Sequence, residues 1–314
     1  MILTPEVLAI FILNGIFLIF STIALVLSVK IFKNWDMDKT TQEQYKLEKN
    51  SFLTATIIKY IFIVKLPLFL FFIFTLDKIS NTLIGAMCAA GVVDATQYGI
   101  YLFVFKIINL YIFGFWLVLN KADISKENLP YTRLKFGLFI IFYILLLCEI
   151  VIETLMFSSI DPSIMVSCCG TLYSSTSSSY ISEIFKISNS VLLSAFYGTF
   201  FLLVLGYYLK NRFLYGVLSV IFLVISIISL IAFFGTYIYE LPTHHCPFCF
   251  LQKDYYYIGY LLYITLFGGT FFGVLLAFFD KKKLFFYSMV FTGIYTFIVT
   301  FYPVRYYLVN GVWL

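Results

Sequence analysis

The sequence predicts an all-α polytopic membrane protein, a bundle of about eight transmembrane helices, and three observations predict it. Hydrophobic residues fill 62% of the 314 positions and charged residues only 12%, with a mean hydropathy of +0.98. Soluble chains carry roughly a quarter charged residues, so this one has too few to cover a surface in water. The apolar residues also come in unbroken runs of about 20, the length of a membrane-crossing helix, and not in the alternating segments of about ten that build a membrane barrel. Finally, a lipid-exposed backbone must satisfy its own hydrogen bonds, which leaves helices as the solution for such runs.

The first run, residues 7–32, exceeds a signal-peptide core, and Met1 to Glu6 carries no Lys or Arg, so a retained helix is expected rather than a cleaved leader. A polar stretch, Lys33 to Asn50, follows, with Lys33, Lys39, Lys46 and Lys49 among four acidic residues. The second helix is expected over 54–76, with Lys59, Lys65 and Pro67 inside it, and leads to a weakly charged loop, 77–97, that holds Cys88. The third, 98–119, carries Lys106 near mid-depth and precedes a basic loop. The fourth, 136–157, contains Cys148, Glu149 and Glu153 and opens into a Ser/Thr-rich loop, 158–188, with Cys168-Cys169-Gly170. Helices over 189–209 and 213–239 flank Lys210 and Arg212; a loop at 240–254 separates them from helices over 255–279 and 284–303. The whole chain reads as one transmembrane domain.

Placing alternate loops on opposite sides puts 13 basic residues on one face and four on the other. Lys and Arg accumulate on the cytoplasmic side, so both termini are expected outside the cytoplasm, in a cell (inner) membrane. Cys88, Cys168, Cys169, Cys246 and Cys249, with both histidines, then share the extracytoplasmic face, whereas cytoplasmic loops contain neither Cys nor His. Cysteines used as apolar filler would lie inside helices.

The densest stretch is His244-His245-Cys246-Pro247-Phe248-Cys249. Imidazole and thiolate together suit soft or borderline metals: copper, zinc or an iron-sulfur centre. His244, His245, Cys246 and Cys249 are the expected primary ligands, completed or relayed by Cys168, Cys169 and Cys88. A Cys-x-x-Cys turn is equally the spacing of a redox dithiol, with Cys246 attacking and Cys168 or Cys169 exchanging. A structural disulfide or simple loop packing is the third reading. Adjacent cysteines pair with each other only under strain, so Cys168 and Cys169 each suit a third partner.

The order Cys88, then Cys168-Cys169-Gly170, then Cys246-x-x-Cys249 resembles the iron-sulfur cysteine module of heterodisulfide-reductase-type subunits. The resemblance covers five cysteines and one glycine, with whole helical hairpins between them here. Thiol pairs on the outer membrane face resemble, in layout, the membrane disulfide-generating quinone reductases and their vitamin-K-reductase relatives, which implies a quinone as electron acceptor under the redox reading. The partners expected are the lipid bilayer and an extracytoplasmic metallochaperone, a thioredoxin-like protein or a respiratory complex.

Ionisable residues at membrane depth are costly and are therefore functional candidates. Glu149 and Glu153 lie one helical turn apart, with Lys65 and Lys106 on neighbouring helices; the four form a proton or cation path or an interhelical ion-pair lock. Other chemistries are excluded. Both histidines fall in one loop, so bis-histidine haem inside the bundle is not feasible, and no Cys-x-x-Cys-His attachment site occurs. Without a phosphate-cradling glycine loop, and with short cytoplasmic loops, nucleotide and nucleic-acid partners are not expected.

Overall fold

The computed structural model describes residues 4–36, 41–86, 88–163, 166 and 187–314. Among the described residues there is no strand, and eight helices are long and apolar enough to cross a membrane. The environment these helices require is a lipid bilayer. They are α1 (Pro5–Asn34), α2 (Gln42–Ser80), α4 (Gly99–Ile124), α5 (Thr132–Ser159), α6 (Asn189–Leu209), the run from α7 (Arg212–Ser229) through α8 (Gly235–Tyr239), α9 (Ile258–Leu276) and α10 (Lys282–Asn310). A short α3 (Ala89–Asp94) lies in the expected loop after α2.

The backbone groups into two compact units: Met1–Ile84 with Val92–Val166, and Gly85–Gly91 with Ser167–Leu314. α2 starts about a dozen residues earlier than hydropathy suggests. Thr41 caps it by accepting from Gln44 N at 3.3 Å, and Gln44, Leu47 and Ser51 are buried on one face. The segment Gln42 to Asn50 is rich in Gln, Glu, Lys and Leu, which lose little side-chain freedom in a helix, so it continues the helix although its charges mark it as polar. At the far end of the chain, α10 runs on past Pro303 to Asn310.

In the first unit, α2, α4 and α5 meet over aromatic rings: Phe62 stacks on Phe113 at 4.2 Å, and the Trp116 edge meets Phe62 at 5.4 Å. The turn between α4 and α5 is fixed by Asp123. Its carboxylate accepts from Tyr131 N and Thr132 Oγ1, both at 2.7 Å, and pairs with Lys135 Nζ at 2.8 Å. Lys135 also donates to Asn120 Oδ1 at 3.0 Å, and Trp116 Nε1 donates to the Lys135 carbonyl at 2.9 Å. Asp123→Ala should destabilise the unit by about 3–5 kcal/mol, because it leaves the buried Lys135 ammonium without its carboxylate. Equilibrium unfolding in detergent measures the loss.

In the second unit, α9 carries Gly269-x-x-x-Gly273, a small-residue stripe that lets helix backbones approach. A side chain on Gly269 would meet the Thr292 backbone nitrogen of α10 at 2.8 Å, and one on Gly273 would strike Ser219 of α7. Polar ties fill the close approach. Ser288 Oγ donates to Gly269 O at 2.7 Å, Tyr215 OH to Ser288 Oγ at 3.2 Å, and Tyr295 OH to Ser226 O at 3.2 Å.

Candidate metal centre

The loop after α8 begins with a left-handed Glu240 (φ 55°), whose N–H reaches back to Thr236 O and ends the helix. Two further left-handed residues, Tyr256 and Tyr257 (φ 53° and 56°), turn the chain into α9. Non-glycine residues hold this conformation at a cost of about 1 kcal/mol each or more, so surrounding contacts must over-determine the loop. Tyr239, the last residue of α8, supplies many of them. Its hydroxyl donates to the Cys246 carbonyl and accepts from Phe250 N at 3.2 Å. Its ring stacks on Phe250 at 5.0 Å and meets the edges of His244 at 4.2 Å and Tyr255 at 4.6 Å. From α9, Tyr263 OH donates to the Pro247 carbonyl. Together these pin residues 246–250 at both ends.

The pinned turn brings three sulfurs together. The Sγ atoms of Cys88, Cys246 and Cys249 all lie within 4.8 Å of one another and all three residues are buried. Cys88 and Cys246 are 3.3 Å apart, well beyond the ~2.05 Å of a disulfide. Cys88 is placed by its own short stretch: Gly91 N donates to the Cys88 carbonyl at 3.0 Å as α3 begins. Phe248 N donates to Cys246 Sγ at 3.4 Å, a contact that favours the thiolate. Sulfurs around a zinc-sized ion at ~2.3 Å stand about 3.8 Å apart, within the range this cluster spans.

The two histidines border the cluster but stand outside that set. His245 Nδ1 faces the carbonyl of Ile231 at 3.0 Å. A carbonyl only accepts, so Nδ1 carries the proton and the neutral ring presents its lone pair at Nε2, the arrangement by which second-shell carbonyls orient metal-binding imidazoles. Ile231 lies in the π-helical turn Leu230–Phe234, a local widening frequent at functional sites. His244 Nε2 is buried and has no hydrogen-bond partner among the described residues. Burial lowers the pKa of both rings, a shift offset in part by the Cys88 sulfur at His244 and by the Ile231 carbonyl at His245. Each imidazole is therefore neutral near pH 7, the form that ligates metal.

Among the expected ligands, the structure thus brings Cys88, Cys246 and Cys249 together, with His244 and His245 beside them; Cys168 and Cys169 lie outside the described residues. The sequence reading missed Tyr239 and Tyr263. Tyr255, Tyr256 and Tyr257 read as interfacial anchors, and nothing local marks Tyr239 or Tyr263 as the residues that turn a hydroxyl onto the loop. Two changes test the scaffold. Tyr239→Phe removes both hydroxyl bonds and should weaken metal retention about 10–100-fold, the usual cost of losing an outer-shell partner. Gly259→Ala places a methyl 2.9 Å from the Phe250 carbonyl; because that atom is backbone, the Cys249–Leu251 turn must shift and metal retention should fall similarly. Equilibrium dialysis of each purified variant measures both.

In the first unit the four expected membrane-depth charges also meet. Lys65 and Lys106 Nζ lie 3.1 and 3.0 Å from Glu149 Oε1, and Lys106 is 2.9 Å from Glu153 Oε1. Two asparagines that the sequence reading passed over complete the set. Asn14 Nδ2 donates to Glu153 Oε2 at 2.8 Å and its Oδ1 accepts from Lys65 at 3.2 Å, while Asn109 Nδ2 donates to Glu149 Oε2. The signal was present as Lys106-x-x-Asn109, two polar residues one turn apart in an apolar helix. All six residues are at most 6% exposed, and the formal charges cancel. Comparison with protein-family models, with curated proteins and with solved structures found no match to this chain.

Proposed function

We propose that the second unit binds and handles a soft metal, copper-like in its preference for thiolate, as a transporter or as an assembly factor for a metalloprotein. The observation that carries the reading is the convergence of Cys88, Cys246 and Cys249, from segments 158 residues apart, into one buried group of sulfurs. Thiolates select Cu(I), zinc or iron-sulfur centres over hard cations. His244 is the natural fourth ligand, because its buried Nε2 has no other partner among the described residues, and His245 is the reserve or transfer ligand. The asymmetry of basic residues supports placing this face outside the cytoplasm of a cell membrane, within reach of a metallochaperone or a respiratory complex. Elemental analysis of the purified protein, with thiols counted before and after reduction, tests the reading. One equivalent of copper, zinc or iron with reduced cysteines is expected; a metal-free protein that also fails to take up Cu(I) or zinc on reconstitution sinks it.

The 3.3 Å contact of Cys88 with Cys246 favours a second reading, a thiol-disulfide oxidoreductase. There the Cys246 thiolate, assisted by the Phe248 N–H, attacks a partner's disulfide, and the partner leaves with one thiolate. Cys88 or Cys249 then resolves the mixed disulfide. The resulting intramolecular disulfide is the oxidised product, and an external thiol must reduce it again for turnover; run in reverse, a quinone would reoxidise the pair. Under this reading the Cys88→Ser, Cys249→Ser double variant accumulates the mixed disulfide and His244→Ala has a milder effect, whereas the metal reading requires both Cys246→Ser and His244→Ala to lower bound metal.

A further inference from the structure

The buried charge cluster of the first unit borders a small cleft and holds a buried carbonyl with no donor among the described residues. The cleft, of about 10 Å³, is lined by Lys65, Lys106, Asn109 and Glu149 with Leu110 and Phe113. That volume suits about one water molecule. Asn109 is 1% exposed, and its Oδ1 has no hydrogen-bond partner among the described residues although its Nδ2 is fully engaged. A buried carbonyl left without a donor costs roughly 1–3 kcal/mol. Donors are at hand: each ammonium has three N–H groups. Lys65 directs two of them to Asn14 Oδ1 and Glu149 Oε1, and Lys106 directs one to Glu149 Oε1 while pairing in charge with Glu153 Oε1, itself without a hydrogen-bond donor among the described residues. Neither lysine contacts Asn109 Oδ1 directly. One group that both donates and accepts would satisfy the orphaned carbonyl and a remaining ammonium hydrogen at once.

The geometry points to a binding site for a single water molecule in this cleft, donating to Asn109 Oδ1 and accepting from Lys65 or Lys106. Accepting from Lys65, the water ties the two lysine-bearing helices together through Asn109, adding a bridge to the ion pairs that already join them. The groups that face Glu149 are Lys65 from α2, Lys106 and Asn109 from α4; Glu153 from α5 and Asn14 from α1 balance the lysines from the other side. A dry ion-pair lock needs no such cleft and leaves no carbonyl unfilled. The inference is independent of the thiolate site.

Hydroxyl-radical labelling of the full chain in lipid nanodiscs, performed in heavy-oxygen water and read by peptide mass spectrometry, tests it. Radicals generated from bound water label the side chains around it. Phe113 is expected to label several-fold more than Phe136, an equally buried ring of the same unit that does not line the cleft. Leu110→Phe, which fills the cleft without touching a charge, should bring Phe113 down to the Phe136 level. Equal labelling of the two rings in the parent protein overturns the site, as does labelling unchanged by Leu110→Phe. Should that variant not fold, the parent comparison decides alone.

Discussion

Cys246→Ser is expected to lower metal affinity on the order of 10²–10³-fold. Four-ligand structural sites hold zinc with an apparent ~10–16 kcal/mol, so one thiolate is worth roughly a quarter of that, and each 1.4 kcal/mol is tenfold. Cys246 is the extreme case because it touches Cys88 at 3.3 Å and alone receives the Phe248 amide. Serine keeps the volume and the loop contacts, since Tyr239 and Tyr263 bind backbone carbonyls and not the sulfur. Cys148→Ser, at the partly exposed cysteine of α5, is the matched control and should retain full metal. Competition with a chromogenic chelator reads the affinities; equal values for Cys246→Ser and Cys148→Ser would refute the site.

Glu149→Leu is expected to destabilise the first unit by about 3–5 kcal/mol, the cost of removing one partner from a buried ion pair. The value belongs at the upper end, because Glu149 Oε1 serves two ammonium groups and Oε2 receives Asn109. Removing it leaves two buried lysines facing a single carboxylate. By contrast, the combined Lys65→Met, Lys106→Met, Glu149→Gln, Glu153→Gln protein removes every charge of the set and should recover most of the lost stability, since burial no longer strips hydration from ions. Unfolding titrations in detergent compare the two. A loss below about 1 kcal/mol in Glu149→Leu, the scale of an exposed pair, would show that the cluster is solvated rather than buried.

The two clusters differ in how far they could be read before the structure. For the charges, the residue types were legible: Lys65, Lys106, Glu149 and Glu153 stand out against apolar helices. An interhelical pairing of the four was one of two expected readings; which ammonium meets which carboxylate was not legible, because it depends on which faces of α2, α4 and α5 turn inward, and an apolar residue on the lipid face looks the same as one in the core. Asn14 and Asn109 were overlooked for a related reason. A neutral amide costs little in hydropathy, so it draws attention only when carboxylates are found at its tip. At the cysteine site, the crowded 244–249 stretch identified itself, yet it appeared as a four-ligand motif of adjacent residues. The structure joins its two cysteines to Cys88, one of the residues expected to complete the set, and leaves the histidines at the border.

What the sequence by itself determined is the set of spans and the kind of solvent around them. Insertion into a bilayer is decided segment by segment, by the transfer free energy of some 20 neighbouring residues, and such local sums are written in the chain. The exception, the early start of α2 at Gln42, is a polar helix outside any such sum. Only the tertiary structure decided that Cys88 meets Cys246 across 158 residues of chain, and that Asn109, with a buried carbonyl lacking a donor among the described residues, lines a small cleft. Those meetings depend on helix rotation, on the close approach that Gly269 and Gly273 permit, and on a loop held by two tyrosine hydroxyls. Each is a long-range contact, and long-range contacts leave no periodicity in the sequence that makes them.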